Sequence, residues 1–219
     1  MPFAKRRAGI SDILYVMASE LEYGPALRSR ITPLITGVGP IEAAAAVTEK
    51  LTRLEIGDRL PMLVVSLGSA GSERLEQCGL YQAASVAWRD MDASALGFER
   101  GVVPYLDQPA TIALGPFVPG IPMASLSTGG NIVSGRAYDG IVEDMVDMET
   151  YAVFRAAHRF GLPLVALRGI SDGDRELGAI TDWTQYLGII DVKLGEAVDG
   201  LEAAIAAGTL VWEADQARE

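Results

Sequence analysis

The chain has 219 residues, 49% hydrophobic and 21% charged, with a formal net charge of −11. That length fits a single domain, residues 1–219, with a sizeable core, and the acidic balance argues against a nucleic-acid backbone or an anionic membrane as partner. A small neutral or cationic ligand fits better. Cys78 is the only cysteine, so no disulfide forms within the chain and no cysteine metal cluster is expected. Residues 1–7 are basic but precede no apolar signal-like run, and no stretch is long enough to span a bilayer, so the expected compartment is the cytoplasm.

Residues 13–18 read as a first strand, followed by Ser19-Glu20-Leu21-Glu22 and the turn residues Gly24 and Pro25. A carboxylate just past a strand is either a solvated loop residue or a site residue, and the local pattern alone favours the loop reading for Glu22. Residues 31–36 form a second apolar run, ending in Gly37-Val38-Gly39-Pro40, after which a helix opens through the alanines 43–46. Strand, Gly-x-Gly, helix is half of a dinucleotide fingerprint. The third glycine position is Glu42, however, and the next strand, 62–67, brings no ribose-binding acid, so a close backbone turn is the better reading. That strand feeds Gly68-Ser69-Ala70-Gly71-Ser72, a small-residue loop that lets a ligand approach the backbone amides. It is not a phosphate loop, because no Gly-Lys-Ser/Thr follows.

Residues 80–88 read as another strand, followed by Arg89-Asp90-Met91-Asp92. The Asp-x-Asp pair has no histidine or third ligand nearby, so a loop is favoured and no metal is expected. Pro104, Pro109, Pro116, Pro119 and Pro122 make residues 105–126 irregular chain and short strands. Residues 127–132 form another small-residue loop. An acidic turn, Asp147-Met148-Glu149, then opens a helix in which Val153, Ala156, Ala157 and Phe160 repeat at helical spacing. Gly161 stops it and Pro163 prevents its continuation. The apolar run 164–167 is a short buried strand whose carboxyl end delivers Arg168 and Asp172. Ligands of open α/β sheets bind outside the carboxyl ends of strands, so Glu149, Arg168 and Asp172 are expected at one cleft. The bland alternative is that Asp144, Asp147 and Glu149 decorate a helix N-terminus, worth up to about 1 kcal/mol, and that Asp172 is a turn residue. His158, the only histidine, reads as a surface residue, which leaves any chemistry to carboxylates. Residues 182–200 form an amphipathic C-terminal helix through Leu187, Ile190, Leu194 and Val198, and the acidic tail past residue 210 is expected to fray.

Several of these stretches, in order, resemble the 5′-methylthioadenosine/S-adenosylhomocysteine nucleosidases of the purine nucleoside phosphorylase/uridine phosphorylase superfamily. They are Ala18-Ser19-Glu20-Leu21-Glu22, Gly37-Val38-Gly39, Gly68-Ser69-Ala70-Gly71, residues 90–104, Val146-Asp147-Met148-Glu149 and Arg168-Gly169-Ile170-Ser171-Asp172. The last two together are specific; the glycine stretches alone are not. The resemblance implies a three-layer α/β/α sandwich around a mixed, partly barrel-like sheet. It also implies hydrolysis of an N-ribosidic bond through an oxocarbenium-like transition state, without metal or cofactor.

In that resemblance Asp172 matches the acid on N7 of the departing adenine, and Glu22 the base for the attacking water. Glu149 matches the holder of the ribose hydroxyls, Met148 the residue under the sugar, and Arg168 the support of the water-side carboxylates. Ser69, Ala70 and Gly71 match the loop along the nucleoside, Trp183 an aromatic near the base, and Val146, Asp147 and Ser171, beside these positions, are further substrate-binding residues. Leu96 and Pro104 match positions sent into a neighbouring subunit's 5′ pocket, which implies a homodimer. The departures are Asn131 and Ile132 in Thr128-Gly129-Gly130-Asn131-Ile132, where the family carries an aromatic, with Tyr138 a replacement for the stacking ring. Ser19 also stands for a methionine, Asp147 for a glutamate, and residues 106–126 and 133–145 are short. Phosphorolysis is the near rival; there an arginine holds phosphate where this chain has Ser66, and Glu22 would repel it. A non-catalytic nucleoside-binding protein and a dinucleotide-dependent oxidoreductase are the readings from other classes.

Overall fold

The computed structural model of the chain describes residues 12–173 and 178–211. In chain order its elements are β1 (Ile13–Met17), α1 (Pro25–Arg28), β2 (Leu34–Ile35), α2 (Pro40–Ile56), β3 (Leu63–Gly71), β4 (Leu80–Trp88) and β5 (Thr111–Ala113). There follow β6 (Met123–Thr128), β7 (Met145–Asp147), α3 (Thr150–Arg159), β8 (Leu164–Asp172), α4 (Ile180–Thr184) and α5 (Leu187–Ala207).

Strand side chains alternate between faces, and in the central strands both faces are apolar. Leu14 and Val16 of β1, Val64 of β3, and Leu164 and Ala166 of β8 share a buried cluster with Val47 and Leu51 of α2 and Val153 and Ala156 of α3. Their neighbours Tyr15, Met17, Leu63, Val65, Leu67, Val165 and Leu167 face the other way, onto Leu27 of α1 and Leu187, Ile190, Leu194, Val198 and Leu201 of α5. Full burial of each such aliphatic side chain contributes about 1.5–3 kcal/mol, far more than helix propensity does. Helices therefore cover both faces, giving the expected three layers.

β2, β1 and β3 run parallel. β3 pairs with β8 in parallel and with β7 antiparallel; β8 pairs antiparallel with β4, which pairs with β6, which pairs with β7. Five strands thus close on themselves, with β1 and β2 extending from β3 and β5 from β4. This is the mixed, partly barrel-like sheet that the resemblance implies.

Several local expectations change. Residues 68–71 are strand rather than loop, because the ladder with β8 continues through Gly68↔Arg168, Ser69↔Gly169 and Ala70↔Ile170 to Gly71↔Asp172. Small residues are needed there because of crowding: a Cβ on Gly68 would stand 3.1 Å from Glu22 Oε1. The same ladder carries β8 past Leu167 to Asp172. Asp147 is not in a turn but ends β7, paired with Thr128. The C-terminal helix is divided, since α5 begins at Leu187 with the apolar set that packs on the sheet, while α4 carries Trp183 separately. His158 is exposed and stacks on Phe154 with ring centroids 5.3 Å apart. The basic residues 1–7 and the tail 212–219 lie outside the described residues, and no described helix is long and apolar enough to cross a membrane.

Candidate active site

A cavity of about 580 Å³ opens where these strands end. Its wall takes Glu22 from the turn after β1, Ser69, Ala70 and Gly71 from β3, and Val146 and Asp147 from β7. Met148 and Glu149 come from the entry to α3, Ser171 and Asp172 from β8, Trp183 from α4, and Asn131 and Ile132 from the loop after β6. Arg168, Leu96, Pro104 and Tyr138 are elsewhere. Arg168 lies behind the wall, in contact with a second, small cavity. Leu96 is exposed in a short turn and Pro104 is half-buried on the same excursion between β4 and β5; neither reaches this cavity. Val38, Arg89 and Ile180 line it without having been singled out. Arg89 carried a signal, being a cation directly after a strand, and Val38 lay within the matching Gly37-Val38-Gly39 stretch; Ile180 carried none.

Glu22 is buried, and its Oε1 accepts from both the backbone N–H and the hydroxyl of Ser69, each at 2.7 Å. Trp183 Nε1 donates in turn to Ser69 Oγ at 2.9 Å. Burial raises the Glu22 pKa, while the Ser69 bonds and the Arg168 charge pull it down. A carboxylate so held is oriented, and its second oxygen is free of described partners.

Glu149 is the N-cap residue of α3, and its Oε1 accepts from the backbone N–H of Gly39 at 2.7 Å. The glycine turn after β2 therefore serves the acid directly. Burial, then the Asp147 charge, raise the Glu149 pKa to about 7, opposed by the Gly39 bond and Arg168. Gly39 adopts φ +102°, a conformation that side chains rarely take, although a Cβ there would meet nothing within 4 Å. Gly39→Ala is accordingly expected to cost about 1–3 kcal/mol through backbone strain alone, and to release Glu149. Thermal unfolding read beside turnover checks this; an unshifted midpoint with full activity would show the conformation is dispensable.

Asp172 ends β8, where the hydroxyl of Ser171 donates to its Oδ1. Burial raises its pKa above the usual carboxylate range, and the Ser171 bond acts the other way.

Arg168 is committed to the scaffold. Its guanidinium donates to Asp147 Oδ2 at 3.0 and 3.2 Å, to Thr150 Oγ1 at 2.7 Å, to Ser66 Oγ at 2.8 Å, and to the Ser66 and Leu167 carbonyls. Asp147 also accepts from Thr128 Oγ1 at 2.6 Å and from the Thr150 N–H at 3.0 Å. Asp147 lines the cavity, and its carboxylate is held in this buried pair, whose loss of one partner would strand a charge. Arg168 reaches Glu22 and Glu149 only through its field. The small cavity, about 10 Å³, is bounded by Glu22, Ser66, Ser69, Glu149 and Arg168, and matches the room and polar contacts one water needs.

At the other side, Arg89 ties the loop after β6 to the sheet, donating to the Ser127, Asp147 and Asn131 carbonyls. Asp90 accepts from the Gly130 N–H, so the Asp-x-Asp pair shapes this loop. Among the described residues no group of acids, histidines or cysteines is arranged to hold a metal. Tyr138 does not line the cavity as a stacking ring but is buried against Val133 and Val146.

Residues 134–187 match the phosphorylase superfamily. Over 159 residues the chain is 28% identical to the 5′-methylthioadenosine/S-adenosylhomocysteine nucleosidase of Staphylococcus aureus strain MRSA252, covering 63% of this chain and 66% of that relative. The chain resembles these nucleosidases. It spans just under two thirds of the length of the curated relatives it matches, at 66%. Among solved structures, the S-adenosylhomocysteine nucleosidase of Streptococcus pyogenes in complex with 5-methylthiotubericidin superposes with a TM-score of 0.73 at 19% identity, covering 90% of this chain and 98% of that one. A futalosine hydrolase mutant of Helicobacter pylori strain 26695 gives 0.71 at 18% identity, covering 88% and 98%. At these identities the superpositions establish the fold.

Proposed function

We propose that the chain is an N-ribosyl hydrolase of purine nucleosides, with 5′-methylthioadenosine and S-adenosylhomocysteine the favoured substrates. One observation carries this reading: Glu22, Glu149 and Asp172, far apart in sequence, line a single cavity of about 580 Å³, within the usual range for small-molecule sites. Asp172 donates a proton to N7 as the bond between C1′ and N9 breaks. Glu149 accepts the ribose hydroxyls and, with its negative charge, favours the sugar cation above Met148. A water beside Glu22 attacks C1′ and gives its proton to that carboxylate. Purine and a ribose bearing a new hydroxyl result.

Hydrolysis is favoured over phosphorolysis by the charges. A phosphate in the water position would face Glu22 and Glu149, and the guanidinium of Arg168 is already engaged by Asp147, Thr150 and Ser66. We further take the chain as one nucleoside phosphorylase-like domain of a cytoplasmic homodimer. Leu96 and Pro104, which do not line their own cavity, would then serve a partner's 5′ pocket.

The test is a substrate panel (methylthioadenosine, S-adenosylhomocysteine, adenosine, inosine and futalosine) assayed with and without phosphate, with the released base identified by chromatography. Release of adenine in phosphate-free buffer is expected. Base release only with phosphate would make the protein a phosphorylase, and tight nucleoside binding without release over hours would make it a binding protein.

A further inference from the structure

A buried titratable group beside the cavity is left unused by this mechanism. Tyr138, in the short turn Gly135–Gly140, is only 3% exposed, and its Oη has no hydrogen-bond partner among the described residues. Proteins pair nearly all buried hydroxyls, so an orphan at the edge of a site points to a partner acquired during function. Its setting identifies that partner. A Cβ built on Gly71 would stand 2.9 Å from Asp172 Oδ2 and closer still to Tyr138 Oη. The two oxygens therefore flank the same bare α-carbon, and any side chain at position 71 would fill the space they share.

The carboxyl of Asp172 is asymmetric in this respect. Ser171 already donates to Oδ1, whereas Oδ2 is the oxygen on the Tyr138 side. We infer that Tyr138 is a positioning residue for Asp172, its hydroxyl turning to donate to Oδ2 when that carboxyl is ionised. The inference rests on the reading of Asp172 as the acid. As the departing base takes its proton, negative charge appears on Asp172, and the phenol answers it without making or breaking a covalent bond. Burial, with the charges of Asp172 and Glu73, holds the phenol protonated well above its ordinary range, against the opposing pull of Arg89. Among the described residues, Glu73, Arg89 and Ser171 are the polar groups that act on the pair, and a protonated phenol can donate throughout the working pH range.

Tyr138→Phe removes the hydroxyl alone. Two readouts separate this inference from the reading beneath it. In the free protein, a carboxyl NMR titration of Asp172 is expected to show its midpoint about one pH unit higher in Tyr138→Phe, because a donor to the ionised form has been lost. A 3-fluorotyrosine at position 138, a stronger donor on the same ring, is expected to move it the opposite way, and serves alone if the phenylalanine variant does not fold. With substrate, kcat is expected to fall about tenfold with KM unchanged, and the alkaline limb of the kcat profile to move upward. An Asp172 midpoint that ignores both changes at position 138 would overturn the inference even in an active enzyme. So would a shifted midpoint with unaltered kcat. Absence of base release by the unmodified protein would instead sink the hydrolase reading, while the titration would still report whether the two side chains are coupled.

Discussion

Asp172→Asn is expected to lower kcat for base release by about 10²–10⁴-fold while leaving KM nearly unchanged. The substitution is close to isosteric, and asparagine can still accept from the Ser171 hydroxyl that now holds Oδ1. What it lacks is a proton to give. A purine anion is a poor leaving group, so the loss falls on the transition state rather than on binding. The pH behaviour follows from the sign of the shift. Burial raises the Asp172 pKa, so the protonated form persists to higher pH than in an exposed aspartate, and activity declines as pH rises through that value. The residual activity of the asparagine variant should lose this alkaline limb. A riboside with a good leaving group, which needs no protonation, should also lose far less than methylthioadenosine does. Equal losses for both would mean that Asp172 acts by shape or binding, and near-normal turnover of methylthioadenosine would remove it from the chemistry.

How much of this was visible beforehand depends on the range of the forces. The layers were legible because strand burial is written as apolar runs, as in 62–67 and 164–167, and helix burial as the spacing of Val153, Ala156 and Ala157. No single acid was legible as a site residue, since a carboxylate past a strand or at a helix start has ordinary structural reasons to be there; the expectation came from Glu22, Glu149, Arg168 and Asp172 matching in order. What escaped was set by contacts between distant segments. Gly39 reads locally as a turn, yet its N–H is the donor that orients Glu149, 110 residues away. The run 68–71 reads as a loop because glycine and serine are poor strand formers, and only pairing with β8 makes it strand. The contacts of the Asp147 carboxylate with Arg168, Thr128 and Thr150 likewise join segments that no local pattern links.

Glu149→Gln should separate function from stability. In the folded protein the Glu149 pKa is raised to about 7, mainly by burial and by the charge of Asp147. A carboxyl whose folded pKa is raised contributes stability that is fully present below its unfolded value, near 4.5, and lost as pH rises through about 7. Above that pH the ionised side chain therefore costs the fold, by linkage, up to about 3 kcal/mol, which solvation in the open cavity reduces. Glutamine keeps an oxygen for the Gly39 N–H and carries no charge. The variant should thus be more stable than the parent at pH 8 by about 1–3 kcal/mol, with the advantage vanishing near pH 4.5. Catalysis should move the other way, because the sugar cation needs the ionised form: kcat/KM is expected to fall about 10²–10³-fold. The parent's activity should also climb as pH rises through about 7, a limb that the variant lacks. Denaturant titrations at the two pH values, beside base-release kinetics, test both halves. A stability difference that is the same at both pH values would mean that Glu149 does not titrate in this range. A fully active glutamine variant would mean that the charge beneath the sugar is supplied by another group.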